Sequence, residues 1–111
     1  MLERAGLADC VEFVTDDAVA AIGQLPGPFD FILVDLWKDL YVSCLEAFYP
    51  KLAPGAMIVA DNCTYPADAY PAVKQYRDTV RAKAHMESIL IPAGNGIELS
   101  RFTGGLVAPF L

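Results

Sequence analysis

The chain is poor in the residues on which redox and imidazole chemistry are built. Its 111 residues hold one histidine, one tryptophan and three cysteines. Cys10, Cys44 and Cys63 are odd in number and lack C-x-x-C spacing, so they read as reduced cytoplasmic thiols. No apolar stretch approaches the roughly 20 residues of a membrane span, and Met1-Leu2-Glu3-Arg4 has no apolar core after it. Neither a transmembrane segment nor a signal peptide is therefore expected. Basic runs are also missing: eight Lys and Arg stand against 14 Asp and Glu, for a net charge of -6. That balance argues against nucleic-acid backbones and anionic membranes as partners. The eight glycines are Gly6, Gly23, Gly27, Gly55, Gly94, Gly96, Gly104 and Gly105. None opens a helix after a buried strand in a G-x-G arrangement. Gly94-Asn95-Gly96 comes nearest, but it lies between short β-like runs and fits a hairpin turn better.

Apolar residues are abundant. They make up 55% of the chain, with a mean hydropathy of +0.37. This is high for a small domain and suggests surface that a partner covers. The length suffices for one sizeable core, and no repeat, low-complexity segment or domain boundary interrupts residues 1–111. Pattern and punctuation predict a short helix over 2–7, strand 11–15, helix 17–24, and a turn at Pro26-Gly27-Pro28. Strand 29–35 follows, then helix 39–52 with Leu40, Cys44, Ala47, Phe48 and Leu52 at helical spacing, stopped by Ala53-Pro54-Gly55. Strand 56–60, helix 69–83 and strands 87–92 and 97–102 complete the order. Residues 103–111 are expected to form a tail, loose unless docked.

Two of these runs end in oxygen ligands. Phe29 to Val34 closes on Asp35, and Ala56 to Ala60 closes on Asp61-Asn62. Continuous apolar runs bounded by Gly and Pro read as strands of a parallel sheet in an α/β fold, whose ligands bind beyond the carboxyl ends of the strands. Asp or Asn after a strand often only makes a turn or caps a helix. Together, however, two carboxylates and an amide oxygen form the hard, all-oxygen set that Mg²⁺ or Ca²⁺ prefers. Asp35-Leu36-Trp37-Lys38-Asp39-Leu40-Tyr41 adds a D-x-x-K-x-x-Y string. A lysine three residues from a metal-binding carboxylate can serve as a base when the cation disfavours its ammonium form.

Five stretches in order carry a resemblance: Leu2 to Asp9, Val11 to Ala18, Phe29 to Tyr41, Gly55 to Asn62, and the closing hairpin Ile91 to Phe102. Together they resemble the C-terminal two-thirds of a class I S-adenosylmethionine-dependent O-methyltransferase of the cation-dependent catechol and caffeoyl-coenzyme A type. The resemblance implies a truncated Rossmann-like methyltransferase sheet, mostly parallel with an antiparallel C-terminal hairpin. It implies Asp35, Asp61 and Asn62 as ligands of Mg²⁺ or Ca²⁺, Lys38 as the catalytic base, Asp17 and Ala18 against the adenine of the methyl donor, and Trp37 bordering cofactor and acceptor. The acceptor would be a small catechol-like hydroxyl compound.

An intact member also carries a first strand, a Gly-rich turn and a second strand ending in a ribose-binding acid. This chain has no such turn, so S-adenosylmethionine is expected to bind weakly or not at all. In the family's sheet the first strand lies beside the Phe29 to Val34 strand, whose exposed edge then predicts a homo-oligomer. A catalytically silent partner domain and a different nucleotide-binding α/β protein are the alternative readings. Three further residues get structural expectations. His85 is placed against helix-end carbonyls. Tyr65, Tyr70 and Tyr76 are taken as packing residues. Cys63 has no partner base that would make it a nucleophile.

Overall fold

The computed structural model describes residues 11, 12, 14, 17–61 and 70–105. The elements run α1 (Ala18–Gln24), β1 (Phe29–Val34), α2 (Tyr41–Phe48), β2 (Leu52–Ala60), α3 (Tyr70–Ala82), β3 (Met86–Ile91) and β4 (Ile97–Phe102). Single turns of 3-10 helix at Lys38–Leu40 and Tyr49–Lys51 flank α2. The expected helix over 2–7 lies outside the described residues. Of the expected strand 11–15, Val11, Glu12 and Val14 are exposed and outside any strand.

The four strands form one sheet in the order β1-β2-β4-β3. β1 and β2 are parallel, and β4 runs antiparallel to both β2 and β3. β1, β2 and β3 therefore share one direction and β4 alone reverses, the mostly parallel sheet with a closing hairpin that the sequence predicts. In that hairpin Ile91 pairs with Ile97, and the Gly96 N–H donates to the Ala93 carbonyl at 3.0 Å. Gly94 and Gly96 adopt φ of +56° and +85° there, the left-handed backbone that glycine enters without steric cost.

β2 begins four residues before the expected Ala56, at Leu52. Pro54 and Gly55 do end the helical run, but the chain goes straight into the sheet. Leu52 to Met57 on β2 faces only Phe29 to Phe31 on β1, and the surplus is absorbed as a bulge. A bulge is one of the few places where a proline can stand within a sheet.

The core lies on one face of the sheet. Tyr41, Cys44, Leu45 and Phe48 make the buried stripe of α2, with Val73, Tyr76 and Val80 on α3. Apart from Val73, they form one cluster with Val34, Ala56, Ile58 and Ala60, in which each large apolar side chain contributes roughly 1.5–3 kcal/mol. On β4 the usual alternation is inverted, since Glu98 and Ser100 point into this core while Ile97 and Leu99 take the other face. Arg81 makes the inversion tolerable. Its Nε and Nη2 donate to the two Glu98 carboxylate oxygens at 2.8 and 3.1 Å, and Ser88 adds a third hydrogen bond. A buried carboxylate without such partners would be strongly destabilising.

α1 is tied on by its ends. The Asp17 carboxylate accepts from the Ala20 N–H at 3.0 Å as its N-cap. Lys51 Nζ donates to the carbonyls of Ile22, Gly23 and Leu25 at the other end, where a cation also suits the helix dipole. His85 sits in the turn after α3 at φ +60°, and its carbonyl accepts from the backbone and hydroxyl of Thr103. Of the expected tail, Thr103 is thus held to that turn, while residues 106–111 lie outside the described residues.

Candidate functional site at the carboxyl ends of two parallel strands

The pairing of β1 with β2 sets the geometry. Val34 lies opposite Ala60, so the next residues, Asp35 and Asp61, leave two neighbouring parallel strands side by side. The Asp61 N–H donates to the Val34 carbonyl at 3.1 Å and holds the two ends together. Asp35 is exposed, and its carboxylate has no hydrogen bond or ion pair among the described residues. Asp61 is half-buried. Asn62 lies outside the described residues. Among the described residues, no group of three or more His, Cys, Asp or Glu side chains gathers here. Two carboxylates borne on neighbouring strand ends are oxygen donors of the kind that hard divalent cations take.

Lys38 stands on the turn between β1 and α2, half-buried. Its Nζ donates to the Tyr41 hydroxyl at 3.0 Å and lies 4.8 Å from that ring's centroid. The Tyr41 hydroxyl in turn donates to the Asp61 main-chain carbonyl at 2.9 Å. Tyr41 itself is fully buried, its ring edge-on to Tyr76 with centroids 5.5 Å apart. Tyr76 is therefore a packing residue. Tyr65 lies outside the described residues.

Beside the strand ends is a cavity of about 220 Å³, lined by Ala18 and Ile22 of α1, Asp35 and Leu36 after β1, and Cys44 and Phe48 of α2. Complete ligand pockets usually reach roughly 300–1,000 Å³, so this one has room for part of a ligand. Ala18 and Asp35 thus share one apolar hollow, whereas Asp17 is engaged as the cap of α1. Burial, and then the nearby Asp17 carboxylate, push the Cys44 thiol above its usual range, so it stays protonated and inert at neutral pH. Trp37 is 80% exposed, its indole uncovered by this chain. A larger hollow of about 700 Å³ along α3, beside Lys74, Asp78 and Lys83, is lined by none of the strand-end residues.

Tyr41 is the member of the site that sequence reasoning quoted but left without a role. Its signal is the three-residue spacing from Lys38, which places neighbours on one helical face. The link to Asp61 spans 20 positions and has no local signature.

Known proteins resemble this chain in sequence and in fold. The family model described as O-methyltransferase matches residues 1–103. Caffeoyl-CoA O-methyltransferase 1 of Eucalyptus globulus is 31% identical over 91% of this chain and 49% of its own length. The solved, cofactor-bound Rv0187 from MTB is 28% identical with a TM-score of 0.77, over 91% of this chain and 53% of that one. An O-methyltransferase from Bacillus cereus in complex with SAH is 22% identical with a TM-score of 0.80, over 92% and 55%, and shows the same fold. The chain spans about half the length of the relatives it matches. These matches remove the reading as a different nucleotide-binding α/β protein, and with a family model covering nearly its whole length the chain belongs to the O-methyltransferase family.

Proposed function

We propose that this chain carries the acceptor and cation side of an S-adenosylmethionine-dependent O-methyltransferase active site. The observation that carries this reading is the convergence at two parallel strand ends: Asp35 beside Asp61, with Lys38 tied to the Asp61 main chain through Tyr41. In this reading Asp35, Asp61 and Asn62 hold Mg²⁺ or Ca²⁺. A bound divalent cation supplies Lewis-acid polarisation that lowers the pKa of a chelated hydroxyl. The acceptor is a small vicinal diol of the catechol type, which offers two oxygens to one hard cation. Lys38 takes the hydroxyl proton at Nζ, and the acceptor oxygen is left to attack the donor's sulfonium methyl, forming the O–C bond as the C–S bond breaks and the neutral thioether leaves. Ala18 and its cavity hold part of the adenine, Asp17 fixes the α1 end that presents it, and Trp37 borders the cofactor and acceptor.

The donor's other contacts have no counterpart in this sequence, since no Gly-rich turn is present. The chain by itself is therefore expected to bind S-adenosylmethionine weakly. The β1 edge, which no described strand pairs, and the apolar sheet face next to it support association with a second copy of the chain.

The reading is tested with 4-nitrocatechol, whose absorbance reports loss of its hydroxyl proton. Parent chain with Mg²⁺ should shift the absorbance toward the ionised form at a pH where Mg²⁺ or chain alone does not. Asp61→Ala should abolish the shift and Lys38→Met should weaken it. No shift with the parent chain would contradict the reading.

A further inference from the structure

The Tyr41 hydroxyl is a polar group placed at the bottom of an apolar core. Tyr41 is 0% exposed, edge-on to Tyr76, and starts the helix whose stripe covers the sheet. A phenylalanine would fill the same space without the need to satisfy a buried hydroxyl. The hydroxyl joins two things instead. A backbone carbonyl can only accept, so the single hydroxyl proton goes to the Asp61 carbonyl at 2.9 Å, and toward Lys38 the same oxygen acts as acceptor at 3.0 Å.

Lysine carries a long stem with large rotamer freedom, so an amine needs a fixed partner to hold one direction. Half-burial of Lys38 confines its stem, but the described residues give its Nζ no carboxylate partner. Tyr41 takes one N–H. The remaining N–H groups, or the lone pair once a proton has left, face away from it. Because Tyr41 is anchored on the main chain of Asp61, whose own N–H is anchored on Val34, the direction of the amine is set from the strand ends themselves.

We propose that Tyr41 is a positioning residue that orients the Lys38 amine relative to the Asp35 and Asp61 strand ends, acting through its hydroxyl rather than its ring. This deepens and rests on the reading of Lys38 as the base of that site. A purely structural Tyr41 would contribute through ring packing, which Tyr41→Phe preserves.

The test reads the amine directly, with neither donor nor acceptor present. In a ¹⁵N-labelled chain at mildly acidic pH, the Lys38 ammonium should give a slowly exchanging signal. Lys51, held by three carbonyls, serves as the reference for a fixed amine, and Lys74, paired with exposed Asp78, for a mobile one. In Tyr41→Phe the Lys38 signal should exchange on the order of tenfold faster, as loss of a hydrogen bond to a charged group implies, while Lys51 is unchanged. Equal exchange at Lys38 in parent and Tyr41→Phe would overturn the proposal. Should Tyr41→Phe fail to fold, Lys38→Met gives the reverse view: the ring carbon bearing the Tyr41 hydroxyl should shift, and an unmoved resonance would overturn the proposal. Adding Mg²⁺ to the parent then tests the underlying reading separately. A cation that moves the Asp61 amide but not the Lys38 signal counts against Lys38 as the base and leaves the positioning result as it stands.

Discussion

The two faces of the sheet differ in what covers them. On the face toward α2 and α3, Val34, Ala56, Ile58 and Ala60 are buried, and even Glu98 and Ser100 are accommodated there. On the opposite face, register aligns Leu33, Val59, Leu99 and Ile89 across all four strands, and Leu33 and Ile89 are each 58% exposed. The open face is thus the more apolar of the two along β3 and β4. An apolar row of that kind at the centre of a sheet signals a surface built to be covered. The Asp35 and Asp61 site stands at the strand ends, and its cavity is walled by β1 and the residues after it together with α1 and α2.

The largest effect that would sharpen this comparison is on the closed face. Ile58→Ala should cost about 2–5 kcal/mol in chemical denaturation, through lost burial and an unfilled cavity. Arg81→Leu should cost less, about 1–3 kcal/mol, because it strands a buried Glu98 carboxylate but removes a guanidinium that is itself 46% exposed. On the open face, Leu33→Lys should change the stability of the monomer by no more than about 0.5 kcal/mol, and the proposed association with a second copy should weaken in sedimentation. If Leu33→Lys proved as costly as Ile58→Ala in the monomer, the contrast between the faces would break.

A smaller effect concerns Cys44. Its thiol is raised in the folded chain, so folded protein keeps the proton to higher pH than unfolded protein does. The resulting stabilisation is complete below the unfolded cysteine pKa and is lost as pH rises through the folded value. In a Cys10→Ser, Cys63→Ser background, Cys44 should react slowly with a disulfide reagent at neutral pH and at full speed only in denaturant. Fast reaction without denaturant would contradict its burial.

The strand ends were legible in the sequence because apolar runs closing on Asp35 and Asp61 need no long-range information. The register that sets those ends side by side is non-local and is seen only in the pairing of Val34 with Ala60. Three features were not legible. The extension of β2 back to Leu52 depends on a bulge, where Pro54-Gly55 reads locally as a helix stop and nothing more. The inward Glu98 depends on Arg81 from another element, against the alternation of Ile97 and Leu99. Helical spacing points to Leu40 and Ala47 in the α2 stripe, whereas Tyr41 and Leu45 are the residues buried, a choice made by what the helix packs against rather than by its own sequence.

Whether the strand ends hold a hard divalent cation, as proposed, is read from thermal unfolding with and without millimolar Mg²⁺ or Ca²⁺. Binding to the folded chain alone should raise the melting temperature of the parent by about 5 °C at tenfold excess over Kd. Asp61→Ala should fold and show no such rise. Equal melting curves for the parent with and without cation would contradict the claim.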